Sequence, residues 1–183
     1  RARAQGVRTL ISSGDKDLTQ LVDPLVTMVN TMSNETFDEA GVAAKFGVRP
    51  DQILDYLTLI GDSVDNVPGV DKVGPKTAAK WLQQFGTLDG VLAHAGDIGG
   101  VVGENLRKAR DWLPTARELL RVKSDLELPV GLADLALAPP DKPRLAQLFE
   151  HLGFQGWRSE LGEVQTPAVP RPEHAYETIL TVP

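Results

Sequence analysis

Asp62 and Asp65 stand three residues apart in the stretch G-D-S-V-D-N-V-P-G-V-D-K-V-G-P-K-T-A, residues 61–78, just past an apolar helix pattern of Ile53, Leu54, Leu57 and Ile60. Unpaired carbonyls and the helix dipole make a helix C-terminus a poor place for two carboxylates unless something positive compensates them. A bound metal would do that. Asp15 and Asp17 form a second acidic pair in S-G-D-K-D, residues 13–17. Oxygen-only ligands of this kind suit Mg²⁺ or Mn²⁺ rather than zinc. In a two-metal site, with ions about 3.5–4 Å apart, such acids support in-line attack on a phosphodiester. Two pairs are few for two ions, so further acids are expected from outside this chain.

The second half of the stretch reads as a hairpin turn over Gly69, Val70, Lys72, Val73 and Gly74 that closes on a helix starting at Pro75. Proline at the first helical position leaves the amides of Lys76 and Thr77 free to face an anion, with the Lys76 and Lys80 side chains near. An acid cluster and a phosphate cradle within about a dozen residues form a combination that hydrolysis of a nucleic-acid backbone needs.

Composition sets the frame for these groups. A chain of 183 residues with 42% hydrophobic and 24% charged content fits a soluble globular protein with one domain of ordinary size. Neither an apolar run of about 18 residues nor a signal-peptide pattern occurs, so no membrane association is expected and a cytoplasmic location is. Zero cysteines exclude disulfides and thiolate zinc sites. The net charge of −6 is uneven: residues 69–123 hold nine Lys/Arg against six Asp/Glu, a balance of +3, and the rest of the chain carries −9. The start at Arg1, entering an apolar segment almost at once, is read as that of a fragment.

Residues 7–11 read as a strand that delivers Asp15 and Asp17 to a loop, where open α/β sheets place their sites. Asp17 equally reads as a plain N-cap for a short helix through Val22. Residues 26–30 read as the next strand, giving a strand-helix-strand unit at the edge of a mostly parallel sheet. Thr36 and Glu39 form a capping box for a helix through Phe46, stopped by Gly47, and Pro50 and Asp51 open the helix that carries the apolar pattern. A helix over 75–85 stops at Gly86, a short one over 87–95 is interrupted by Gly90, and 96–103 reads as a flexible glycine-rich connection. From Glu104 two helices meet at Pro114, with Leu106, Ala109, Leu113, Ala116 and Leu120 as one stripe and Arg107, Arg110, Arg117 and Arg121 beside it. That basic stripe is either a solvated face or a nucleic-acid surface. Residues 125–130 read as extended and 143–152 as a final helix. Pro167, Pro170 and Pro172 mark a linker, and 176–182 alternate like a strand. His94, His151 and His174 lack metal-ligand spacing. Trp81, Trp112 and Trp157 are expected in the core, with stacking on a base as the alternative.

S-G-D-K-D at 13–17, G-D-S-V-D-N-V-P-G-V at 61–70 and V-G-P-K-T-A at 73–78 together resemble the C-terminal half of the 5′ nuclease domains of the bacterial DNA polymerase I family, which are members of the flap endonucleases. The resemblance runs from about residue 7 to about residue 157. Beyond it, the proline-rich linker and Y-E-T-I-L resemble the entry to a proofreading-like domain of such polymerases.

The resemblance implies an α/β fold in which a central sheet flanked by helices is followed by a helical subdomain, truncated at both ends. Its divisions are a 5′-3′ exonuclease part over 1–160 with a helix-hairpin-helix at about 50–123, a linker over 161–175, and the start of another domain at 176–183. It implies Mg²⁺- or Mn²⁺-dependent cleavage of 5′ flaps and 5′ ends of DNA in replication and repair, by a monomer at the nucleoid. Asp15, Asp17, Asp62 and Asp65 are then the catalytic metal-site acids, and the hairpin with Lys76 and Thr77 holds the duplex backbone; its carbonyls can also hold K⁺. The remaining acids and the flap-threading arch lie in the family's N-terminal half, so the 183-residue chain alone is expected to be inactive. A stand-alone 5′-3′ exonuclease and a non-catalytic DNA-binding module are the alternatives.

Overall fold

The structure is a computed structural model that describes residues 1–162, and it divides into two compact units at Leu132/Ala133. In the first unit a three-stranded sheet runs in the order β1 (Thr9–Ser12), β2 (Val26–Asn30), β3 (Glu35–Phe37). β1 and β2 are parallel, with Thr9 opposite Val26 and Ser12 opposite Val29, joined through the 3₁₀ helix Lys16–Leu21. This is the expected strand-helix-strand unit.

β3 was not expected, because Thr36 was read as a helix cap. Instead Asn34 takes a left-handed φ of 56° and turns the chain back, pairing Thr36 with Val29 in an antiparallel ladder. The cap of α1 (Glu39–Phe46) falls to Asp38, whose carboxylate accepts the Gly41 amide at 2.7 Å, and Gly47 closes the helix in left-handed conformation. Both rules for capping hold; only the capping residue differs.

Pro50–Gln52 form a 3₁₀ turn that runs into α2 (Ile53–Ile60). Of the expected apolar face, Ile53 and Leu57 are buried and Leu54 and Ile60 partly so, while Asp55, Tyr56, Thr58 and Leu59 are also buried, so this helix is the centre of the core rather than an amphipathic wall. It packs against α3 (Pro75–Phe85), α4 (Leu88–Ala93) and α6 (Leu113–Leu120). Buried Gln52 fixes α3 by donating to the carbonyls of Leu82 at 3.1 Å and Gly86 at 2.8 Å.

Two glycines, Gly90 expected to interrupt a helix and Gly103 expected in a loop, are sites of close approach. Gly90 lies inside α4, where a Cβ would run into the Phe85 carbonyl oxygen, and Thr87 caps that helix through the Gly90 amide. Gly103 lies inside α5 (Gly100–Ala109), where a Cβ would meet the carbonyl of Ile98. The expected loop over 96–103 is therefore helical from Gly100. Leu106, Leu113, Ala116 and Leu120 are buried as the stripe predicts. Residues 125–130 form no strand.

In the second unit, α7 (Lys142–His151) is capped by Asp141 and followed by an unexpected short helix, α8 (Gln155–Glu160). Trp157 is 55% exposed, contrary to the core expectation, and sits edge-on to Phe154. Trp81 is buried as expected. The linker and the strand read over 176–182 lie outside the described residues. No helix among the described residues is long and apolar enough to cross a membrane.

Candidate metal centre and adjoining hairpin

α2 ends because Gly61 adopts a positive φ of 75°, and the chain leaves as a two-residue ribbon, β4 (Gly61–Asp62) against β5 (Val67–Pro68). Asp62 and Asp65 therefore do not share a helix face; a tight turn brings them together. Asp62 Oδ1 accepts the amides of Val64 at 2.7 Å and Asp65 at 3.3 Å, which orients its carboxylate and folds Asp65 back toward it. The close approach of Gly61 and Gly69, where a Cβ on either would strike the other's amide nitrogen, fixes the ribbon to the end of α2.

The other acids arrive from the end of β1. Asp15 caps the Lys16–Leu21 turn, its carboxylate accepting the Asp17 amide at 3.0 Å, so the capping role read for Asp17 belongs to Asp15. Asp17 is thereby turned toward α2, and its carboxylate, with those of Asp62 and Asp65, offers oxygens that lie within 4.8 Å of one another. Asp15 is not in that group but is near enough for its charge to be felt at Asp17.

Burial, and then the negative charge of Asp15, push the Asp17 carboxyl above the usual carboxylate range. The hydrogen bond from Lys16, with the Val64 and Asp65 amides, holds Asp62 below it. The Asp62 hydrogen bond in turn pushes the Lys16 ammonium up, against its partial burial. Asp17 Oδ1 is buried and has no hydrogen-bond partner. A buried lone oxygen beside two further carboxylates, an all-oxygen donor set, fits a hard divalent cation.

On the far side of the ribbon, the turn over 69–74 is stitched by Val70 N donating to Leu59 O at 2.8 Å and Val73 N to Val70 O at 3.0 Å, with Lys72 left-handed at φ 61°. The Val70 and Val73 side chains are buried, which leaves only their backbone groups for any ligand. Gly74 is the N-cap of α3, and nothing lies near its Cα on the side a side chain would occupy. The Thr77 amide is not free, since it donates to Gly74 O at 3.0 Å; the Lys76 amide makes no such bond. Lys72, Lys76 and Lys80 are all exposed.

The arginine stripe divides. Arg107 donates to the carbonyls of Ala95 at 2.6 Å and Ile98 at 3.2 Å, and Arg117 lies 2.8 Å from Asp55 and 3.3 Å from Asp89. Arg121 pairs with Glu118 at the surface, and Arg110 is exposed with no side-chain partner. Among the described residues, Arg110 is the arginine of this stripe that is exposed and without a side-chain partner.

Three positioning residues were missed. Lys16 forms the ion pair with Asp62; the requirement for a positive partner near Asp62 was legible, its source was not. Asn105 tethers the hairpin by donating to Asp71 O at 2.9 Å. Asp55, buried in α2, accepts the Leu88 amide at 2.8 Å.

A DNA polymerase I of Bacillus caldotenax is 37% identical over 166 residues, which is 88% of this chain and 19% of that protein. A 5′-3′ exonuclease of Aquifex aeolicus is 36% identical over 160 residues, 87% of this chain and 54% of that protein. The chain thus spans about a fifth of the first and about half of the second. In structure, bacteriophage T5 flap endonuclease, solved in a pseudo-enzyme–product complex with DNA and metal ions, matches with a TM-score of 0.58 at 16% identity, over 84% of this chain and 50% of that one. That likeness establishes a shared α/β fold. The family model described as 5′-3′ exonuclease, C-terminal SAM fold, matches residues 48–143, the region from the start of α2's turn to α7, and by that match this chain belongs to the 5′-3′ exonuclease family.

Proposed function

We propose that this chain is part of a DNA polymerase I and contributes to a metal-dependent 5′-3′ exonuclease and flap endonuclease. The observation that carries the proposal is the convergence of Asp17, Asp62 and Asp65 from separate segments onto one point. Asp17 and Asp62 hold the inner side of the site; Asp65, exposed on its turn, and Asp15 close the outer side. A pair of Mg²⁺ or Mn²⁺ ions bound there would supply an activated water and offset the charge of the leaving oxygen.

The chain's own residues then divide the work. The turn of Gly69, Val70, Val73 and Gly74, whose Val70 and Val73 amides are used inside it, sets the position of Lys72, Lys76 and Lys80, which present exposed ammonium groups to the phosphates of a duplex. Thr77 offers its side chain rather than its amide. Arg110 and Arg121 extend this basic surface, while Arg107 and Arg117 contribute by holding the helices that carry it. The hairpin carbonyls are also a candidate K⁺ site. The substrate is duplex DNA with a 5′ flap or 5′ end, the working form is a monomer, and the activity is assigned to the intact parent at the nucleoid.

A stand-alone 5′-3′ exonuclease is the second reading, favoured by the 36% identity to the Aquifex aeolicus enzyme. In either setting, Asp62→Ala or Asp65→Ala in the intact parent lowers flap cleavage by about a hundredfold or more and leaves DNA binding nearly unchanged. Wild-type cleavage rates in either variant would refute the metal-site assignment.

A further inference from the structure

Asp62 has a side chain only 3% exposed, and a carboxylate so placed needs a partner for each oxygen. Backbone amides of Val64 and Asp65 take Oδ1, and the Lys16 ammonium takes Oδ2. That oxygen is the one left to serve as a ligand. The same ammonium also interacts favourably with Asp17 and Asp15, so one lysine faces most of the acidic site. Its side chain is 41% exposed, and its backbone is held in the first turn after the Asp15 cap. A flexible four-carbon stem anchored at one end and partly open to solvent can withdraw without moving the acids.

We propose that Lys16 is the resident counter-ion of this site, holding Asp62 while no divalent cation is bound and withdrawing to solvent when one enters. This inference rests on the metal-site reading above. Without Lys16, Asp15, Asp17, Asp62 and Asp65 would repel one another. With it, the acids stay gathered, at the cost of affinity for the metal. By linkage, whatever factor Lys16 contributes to the metal-free site is the factor by which it weakens metal binding.

The test uses the intact parent protein, free of DNA, with Mn²⁺ as the probe and unbound Mn²⁺ followed by electron paramagnetic resonance. Lys16→Met, which keeps the apolar stem, is expected to tighten Mn²⁺ binding about tenfold, while Lys16→Arg stays near wild type. Thermal unfolding gives a second readout: Lys16→Met melts below wild type in chelator, and the difference closes or reverses at saturating Mn²⁺. Lys16→Gln carries the same expectations should Lys16→Met fold poorly. Equal Mn²⁺ affinity in wild type and both neutral variants, or an equal loss of Tm with and without Mn²⁺, would show that Lys16 is only a structural partner and overturn the inference. If neither wild type nor the neutral variants bind Mn²⁺ in a manner lost in Asp62→Asn, the metal-site reading falls, and this inference with it.

Discussion

Replacing Arg117 separates a structural arginine from a DNA-binding one. Its guanidinium lies 2.8 Å from Asp55 Oδ1, an ion contact rather than an aligned hydrogen bond, and 3.3 Å from Asp89. The Arg117 side chain is 28% exposed and Asp55 6%, whereas Asp89 is 78% exposed, so the Asp89 arm contributes little. Arg117→Met keeps the stem and leaves Asp55 in the core without its cation. Breaking a fully buried pair costs about 3–5 kcal/mol. Partial exposure of Arg117 and the Leu88 amide retained by Asp55 place this case at the lower edge, about 3 kcal/mol. With a urea m-value of about 2 kcal/mol/M, the unfolding midpoint falls by about 1.5 M. Arg110→Met, at an exposed side chain without a partner, shifts stability by no more than about 0.5 kcal/mol but weakens duplex binding. The assay is urea unfolding beside DNA binding across a salt series for both variants. An unchanged midpoint with weakened DNA binding in Arg117→Met would refute the structural assignment.

Lys76→Ala weakens binding to unrelated duplexes by similar factors and lowers the salt slope by about one unit; a loss confined to particular sequences would show that the hairpin reads bases instead. Gly103→Ala forces a methyl against the Ile98 carbonyl and costs about 1–3 kcal/mol, read as a lower urea midpoint, whereas Gly96→Ala, with open space around it, has no such clash.

Local pattern made much of the fold legible. β2 occupies the expected residues, α3 starts at Pro75 and stops at Gly86, and the apolar stripe of α5 and α6 is buried. These elements are set by proline, glycine and apolar spacing within a few residues of themselves. The three acids that converge were all among the candidates, because carboxylates beside chain breaks are visible without a partner in view. What stayed hidden is carried by polar contacts between distant residues. Lys16 meets Asp62 across 46 residues, Gln20 donates to Leu120 O across 100, and Asn105 holds Asp71 across 34. Arg107 and Arg117 have the spacing of a DNA-facing stripe, and only their partners reveal other duties: Arg107 holds carbonyls of the loop before its own helix, and Arg117 reaches Asp55 on α2 and Asp89 on α4.

The glycines of the ribbon show how the two halves of the site are related. Gly61 turns the chain, at φ 75°. Gly69 does not need that freedom; it is glycine because Gly61 N and the end of α2 leave no room for a Cβ. Asp62 follows Gly61 and the hairpin turn follows Gly69, while Val70 N reaches back to Leu59 O at 2.8 Å. Asp62, Asp65 and the hairpin therefore leave the same point at the end of α2, held by a backbone crossing rather than by side chains that can change rotamer, while Asp17 comes to them from the end of β1. In a nuclease of the proposed kind, the distance between the phosphates gripped and the bond cut would be set by that crossing.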